Sequence, residues 1–248
     1  MPNRYLIANW KMNVPPEGID RYLSAIDGAN VVVAPPYVYL KDVVDRAPKS
    51  ISAAGQNCAD QKSGAFTGEI SARMLRDCGA RFVIVGHSER RNIYGEDDAL
   101  IARKLALAIE AGLTPVLCIG ENEFQRDDGR ALTFCSGQLQ MAAVPQLENA
   151  AEVVVAYEPI WAIGTGQNAT PQMVAEMVAS IREALGRFWP VGLAPRTPIL
   201  YGGSVTPENV DDLIARASID GFLVGGASLD SKKFLALAEA MKKLPAGV

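Results

Sequence analysis

This sequence has little material for metal, redox or nucleic-acid chemistry. It holds one histidine and four cysteines in 248 residues, and Cys58, Cys78, Cys118 and Cys135 form no CxxC pair. That pattern fits neither a zinc site nor a disulfide framework, so no metal is expected. Reduced thiols in a cytoplasmic protein are the plain reading. No GxGxxG follows the first apolar run, and no cofactor is expected. Lysine and arginine total 24 against 28 acidic residues, a net charge of −4, with no dominant basic cluster to meet a nucleic acid. No apolar run approaches the roughly 20 residues of a membrane span. Met1-Pro2-Asn3-Arg4 leads straight into a strand-like segment, leaving no room for a signal peptide.

What is present is a regular alternation. Short apolar runs recur at residues 5–8, 31–34, 51–54, 82–85, 116–119, 153–157, 199–201 and 222–224, each followed by Gly, Pro, Asn or Ser. They lack polar alternation, as parallel strands buried on both faces do. Segments of helical period lie between them. Residues 98–111 carry one broad apolar stripe, and residues 170–188 open with Thr170-Pro171, a cap followed by proline at the first helical position. Thr206-Pro207-Glu208 repeats that signature ahead of Val210, Leu213 and Ile214. Eight rounds without a linker predict an α/β fold, a closed (β/α)8 barrel forming a single domain over residues 1–248. An open parallel sheet covered on both faces is the alternative.

In such a barrel, catalytic side chains stand at the C-terminal ends of the strands. Asn9 and Lys11 follow the first run, His87 and Glu89 the fourth, and Glu158 the sixth. Gly202-Gly203-Ser204 follows the seventh run and Gly225-Gly226 the eighth. Singly, these read as a solvated lysine, a structural histidine, a salt-bridged carboxylate and tight turns. Jointly they place a carboxylate, an imidazole, an ammonium and an amide beside glycine-rich loops able to hold an anion such as phosphate. A carboxylate base with a hydrogen-bonding imidazole suits removal of a proton next to a carbonyl. His87, Lys11 and Asn9 would stabilise the charge gained by the carbonyl oxygen. Glu158 also precedes an apolar loop, Pro159-Ile160-Trp161-Ala162-Ile163, that ends in Gly164-Thr165-Gly166. That is the composition of a cover that shuts out water.

Five ordered segments carry a family resemblance. They are Asn9-Trp10-Lys11-Met12-Asn13, Gly64-Ala65-Phe66-Thr67-Gly68-Glu69, Val85-Gly86-His87-Ser88-Glu89-Arg90-Arg91, residues 157–166, and Tyr201-Gly202-Gly203-Ser204. From Asn9 to Gly226 the chain closely resembles the triosephosphate isomerases, whose fold is the single-domain (β/α)8 TIM barrel. That family is a known case of acid–base tuning, and the residue roles that follow are those the resemblance implies. The resemblance implies interconversion of dihydroxyacetone phosphate and D-glyceraldehyde 3-phosphate through an enediol(ate), a step of glycolysis and gluconeogenesis. It makes Glu158 the proton shuttle and neutral His87 the electrophile. Lys11 and Asn9 bind substrate and stabilise charge. Gly164, Ser204, Gly225 and Gly226 offer backbone amides to the phosphate, and Glu89 supports the site near Lys11. One departure is visible: Gln167 stands where the family often has lysine directly after the lid's Gly-Thr-Gly, which bears on the lid hinge and not on the chemistry.

The stretch from Gln56 to Ile70 lacks helical period, is long for a barrel loop, and has an apolar tip at Ala65-Phe66-Thr67. By resemblance it inserts into a second copy, brings Thr67 near the neighbour's Asn9 and Lys11, and makes the protein a homodimer. Two other functions compete. A phosphosugar aldolase on the same barrel would ordinarily need a Schiff-base lysine inside the barrel, whereas the sixth run ends in Glu158. A non-catalytic phosphometabolite binder would predict a damaged catalytic set.

Overall fold

The structure is a computed structural model that describes residues 3–162 and 169–242. Eight parallel strands close on themselves in chain order: β1 (Tyr5–Asn9), β2 (Val31–Ala34), β3 (Ile51–Gly55), β4 (Phe82–Val85), β5 (Thr114–Ile119), β6 (Val154–Tyr157), β7 (Ile199–Tyr201) and β8 (Gly221–Val224). Closure is made by β1 on β8, with Tyr5 opposite Gly221 and Ala8 opposite Val224. Gly221 has φ 149°, and a Cβ there would lie 1.9 Å from the carbonyl oxygen of Tyr5. Only glycine lets the last strand meet the first so closely. The barrel is thus the expected one, and the open sheet is excluded.

Period-two alternation divides the core into two shells. Ile7, Val32, Ala34, Ala54, Ile84, Val116, Cys118, Val154, Ala156, Leu200 and Leu223 pack together inside the barrel. Their neighbours Leu6, Ala8, Val33, Val83, Val85, Leu117 and Val155 join the outer cluster with the helices. This parity positions the site. Two residues beyond Ile7 comes Asn9, two beyond Ala54 comes Gln56, and two beyond Ala156 comes Glu158. Each continues the inward-facing series where the strands end.

The surrounding helices follow their local chemistry. Helix Pro171–Phe188 starts as its sequence predicts, with the Thr170 hydroxyl accepting the N–H of Met173. The same signature at Thr206 behaves differently. There the helix begins only at Val210, with Asn209 at its cap position. The Asn209 side chain accepts the N–H of Thr206 and donates to the carbonyl of Ser204. Thr206-Pro207-Glu208 is therefore a turn held by asparagine, and it belongs to the mouth of the barrel. The fifth strand starts at Thr114, two residues before the apolar run, because Pro115 pairs with Val83 without donating a ladder hydrogen bond.

Candidate active site

At the C-terminal mouth, Asn9, Lys11, His87 and Glu158 line one cavity of about 510 Å³ together with residues 202–208, 223–227 and Lys233. Residues as far apart in sequence as Asn9 and Lys233 are thereby brought around one opening. Asn9, His87 and Glu158 are buried, at 5%, 6% and 2% exposure, so the polar groups sit in surroundings of low dielectric.

Glu158 is fixed from several directions. Its N–H donates to the carbonyl of Ile119 at 2.8 Å, and its carboxylate accepts the N–H of Ser88 at 2.8 Å. The second carboxylate oxygen lies 3.1 Å from Nε2 of His87. Two glycines make room for it. A Cβ on Gly120 would fall 1.7 Å from the Glu158 carbonyl oxygen, and one on Gly202 would fall 2.9 Å from its Cγ. Side chains at either position would displace the carboxylate.

His87 caps the helix Ser88–Tyr94, and its Nδ1 accepts the N–H of Glu89 at 3.2 Å. A ring nitrogen that accepts a backbone N–H keeps its lone pair, so the neutral imidazole carries its proton on Nε2, the atom facing Glu158. Behind it, Arg91 donates to the carbonyls of Gly86 and Cys118 at 2.8 and 3.0 Å and pairs with Asp98 at 2.6 Å. That guanidinium ties the ends of β4 and β5 and sets the turn from which His87 projects. Cys118 lies inside the barrel, where burial and then the Glu158 carboxylate push its thiol pKa well up, leaving it a neutral packing group.

Lys11 has φ 52°, unusual for a residue with a side chain. Its own N–H donates to the Asn9 side chain at 3.1 Å, and its carbonyl accepts from Gln56 at 2.8 Å. Gln56 also donates to the carbonyl of Ala34 at 2.8 Å, clamping the loops after β1 and β2 together. The Lys11 ammonium rests 2.8 Å from the Glu89 carboxylate. Glu89 thus stands beside the site, as expected. Gln56 did not stand out in the sequence, although the step of two from Ala54 marks it as inward-facing.

Glu121 was also missed. Its fully buried carboxylate accepts from the Tyr157 hydroxyl at 3.0 Å, Trp161 Nε1 at 2.8 Å and Arg126 at 3.1 Å. Three donors compensate its burial and anchor the segment that follows Glu158. Ile160 N–H adds a bond to the Glu121 carbonyl at 3.0 Å. Gly164, expected to give an amide to phosphate, and Gln167 lie outside the described residues.

Ser204, Gly225 and Gly226 line the same cavity. Among the described residues, no protein acceptor takes their backbone N–H groups. A Cβ on Gly225 would come within 3.2 Å of Lys11 Cε, so glycine there leaves room for the lysine side chain beside these amides. Thr67 is the exception among the expected site residues. It is exposed on the loop 56–70 and does not line its own chain's cavity.

Comparison with known proteins agrees with this geometry. The family model described as triosephosphate isomerase matches residues 4–241. A triosephosphate isomerase of Rubrobacter xylanophilus is 44% identical over 248 residues, covering 96% of both chains. One from a Roseiflexus species is 45% identical, covering 93% of this chain and 94% of its own, and one from Taenia solium is 44% identical, covering 89% and 92%. On the family match and these relatives, this chain belongs to the triosephosphate isomerase family.

Proposed function

We propose that the chain, as a single domain over residues 1–248, interconverts dihydroxyacetone phosphate and D-glyceraldehyde 3-phosphate at this cavity. The observation that carries the reading is the juxtaposition of the Glu158 carboxylate, the Nε2 of His87 and the Lys11 ammonium in one cavity with the amides of Ser204, Gly225 and Gly226, which have no protein acceptor among the described residues. Glu158 takes the proton from C1 of the ketose, and the electron pair moves toward O2 to give an enediolate. His87 Nε2–H, Lys11 and Asn9 stabilise that oxygen, and His87 relays a proton between O2 and O1. Glu158, now protonated, returns its proton to C2 and yields the aldose. Each step conserves protons, and no cofactor enters. Trp161, held by Glu121, starts the apolar stretch expected to keep water from the enediolate, and residues 163–166 of that stretch lie outside the described ones. The aldolase alternative gains no support, because the cavity position at the end of β6 holds the carboxylate of Glu158 and not a Schiff-base lysine. A coupled assay on D-glyceraldehyde 3-phosphate tests the function directly, and absence of isomerisation would refute it.

The protein acts as a homodimer through the loop 56–70. Supporting this, Phe66 on that loop is 47% exposed and Met12, on the loop after β1, is 94% exposed. Ile93 and Tyr94, after β4, are also exposed. These large apolar groups follow strands on one side of the barrel, an arrangement unfavourable in water. The base of the loop is rigid: Ala59 N–H donates to the carbonyl of Ile70 at 2.8 Å. Buried Lys104 bridges Asn57 and Glu96 at 2.9 and 2.6 Å. In the dimer Thr67 approaches the neighbour's Asn9 and Lys11. Sedimentation velocity should give twice the chain mass, and Phe66→Asp should shift it toward monomer with loss of activity. A fully active monomer would remove the loop's assigned role. The reaction is assigned to the cytoplasm on the reduced-thiol reading of the cysteines. Among the described residues, no helix is long and apolar enough to cross a membrane.

A further inference from the structure

The cavity is uneven in charge. At its proton-transfer end, the Lys11 ammonium is already 2.8 Å from the Glu89 carboxylate. The same ammonium borders the glycine-rich loops 203–207 and 225–227, since a Cβ on Gly225 would lie 3.6 Å from it, and those loops bring no formal charge of their own to the cavity. Two further ionised side chains, Glu208 and Lys233, line the cavity.

Lys233 lies in the first turn of helix Ser231–Met241. Its backbone N–H and that of Lys232 both donate to the Asp230 carboxylate, at 3.1 and 3.0 Å. These two helix-start amides are therefore taken up within the protein, and it is the Lys233 side chain that brings positive charge to the cavity. Among the described residues, the Lys233 ammonium forms no ion pair, and neither does Glu208. The Glu208 carboxyl is held below its usual range first by the Thr206 hydroxyl, then by its own backbone N–H, and in smaller part by the Lys233 ammonium.

A phosphodianion entering this mouth meets the carboxylates of Glu158, Glu89 and Glu208. Against them the catalytic set supplies only the paired Lys11. Amide dipoles hold an anion at contact distance but do little to draw it in, whereas a formal charge acts over about a Debye length, ~10 Å at 0.1 M salt.

We propose that Lys233 is the phosphate-end cation of this site, steering the substrate's phosphodianion into the amide cup and favouring dianionic over monoanionic esters. The assignment rests on the triose phosphate reading above, but its test does not require turnover. Inorganic phosphate is the probe. Its binding is measured by calorimetry on the full chain and on Lys233→Ala, with Lys232→Ala as the neighbouring variant whose side chain does not line the cavity. At low ionic strength Lys233→Ala is expected to weaken phosphate binding by roughly three- to ten-fold, with the gap shrinking in high salt. Lys232→Ala leaves it unchanged. In steady-state assays kcat/KM falls by the same factor while kcat at saturation holds, the signature of uniform binding. Glu208→Gln should shift phosphate affinity the opposite way. Equal phosphate affinity in Lys233→Ala and wild type at low salt would overturn the assignment. So would an equal loss in Lys232→Ala, since that would reduce the effect to net charge. If isomerase activity is absent while the phosphate pattern holds, the functional reading fails and the role of Lys233 stands.

Discussion

Glu158→Asp is expected to lower turnover by roughly 10²-fold or more while substrate still binds. The carboxylate is held by the Ser88 N–H at 2.8 Å and faces His87 Nε2 at 3.1 Å, so its reach is set by side-chain length. Removing one methylene withdraws it by about 1.5 Å. Losses of that order in a proton transfer are large because the reacting atoms must approach to about 3 Å before the barrier falls. The amides of Ser204, Gly225 and Gly226 assigned to phosphate are left intact, so KM should change far less than kcat. Steady-state kinetics in the coupled assay read both. Unchanged turnover would remove Glu158 from the mechanism.

Lys11→Gly should separate activity from stability. At φ 52° a lysine occupies a backbone region that costs of order 1–3 kcal/mol for non-glycine residues, and the bonds to Asn9 and Gln56 hold it there. Glycine adopts that conformation freely, although it also loosens the unfolded chain. The ion pair lost is modest in energy, since the two side chains are 30% and 43% exposed and solvent screens them. Thermal unfolding should therefore show a Tm equal to wild type or slightly higher. Catalysis should fall by roughly 10²–10³-fold in kcat/KM, because an ammonium aimed at developing negative charge has been removed. A fully active variant would contradict the role of Lys11. A large drop in Tm would contradict the reading of its backbone as strained.

These two residues also show how much was legible in the sequence. Parallel strands buried on both faces leave short, uninterrupted apolar runs, so all eight strands could be found, and eight strand–helix rounds without a linker pointed to the closed barrel. Catalytic groups stand where runs end, which singled out Asn9, His87 and Glu158. Their convergence needed the fold as an intermediate, since no local pattern links Glu158 to Ser88 seventy positions away. The supporting groups escaped for the same reason. Gln56, Glu121 and Arg91 act through hydrogen bonds to carbonyls or side chains of other segments, and such contacts have no period. Lys232 and Lys233 are adjacent in sequence, and only the folded helix Ser231–Met241 distinguishes the one that lines the cavity. Thr206-Pro207 misled because a cap signature is also a turn signature, and the side chain of Asn209 selects the turn.

The most direct measurement is a crystal structure with a phosphorylated mimic of the enediolate bound. The carboxylate of Glu158 should have left the Ser88 N–H to lie over the two carbon positions, with His87 Nε2 between the mimic's two oxygens and Lys11 beside them. The phosphate should rest on the amides of Ser204, Gly225 and Gly226. A mimic bound away from these side chains, or one held with Glu158 still on Ser88, would contradict the convergence of three distant groups on a single triose.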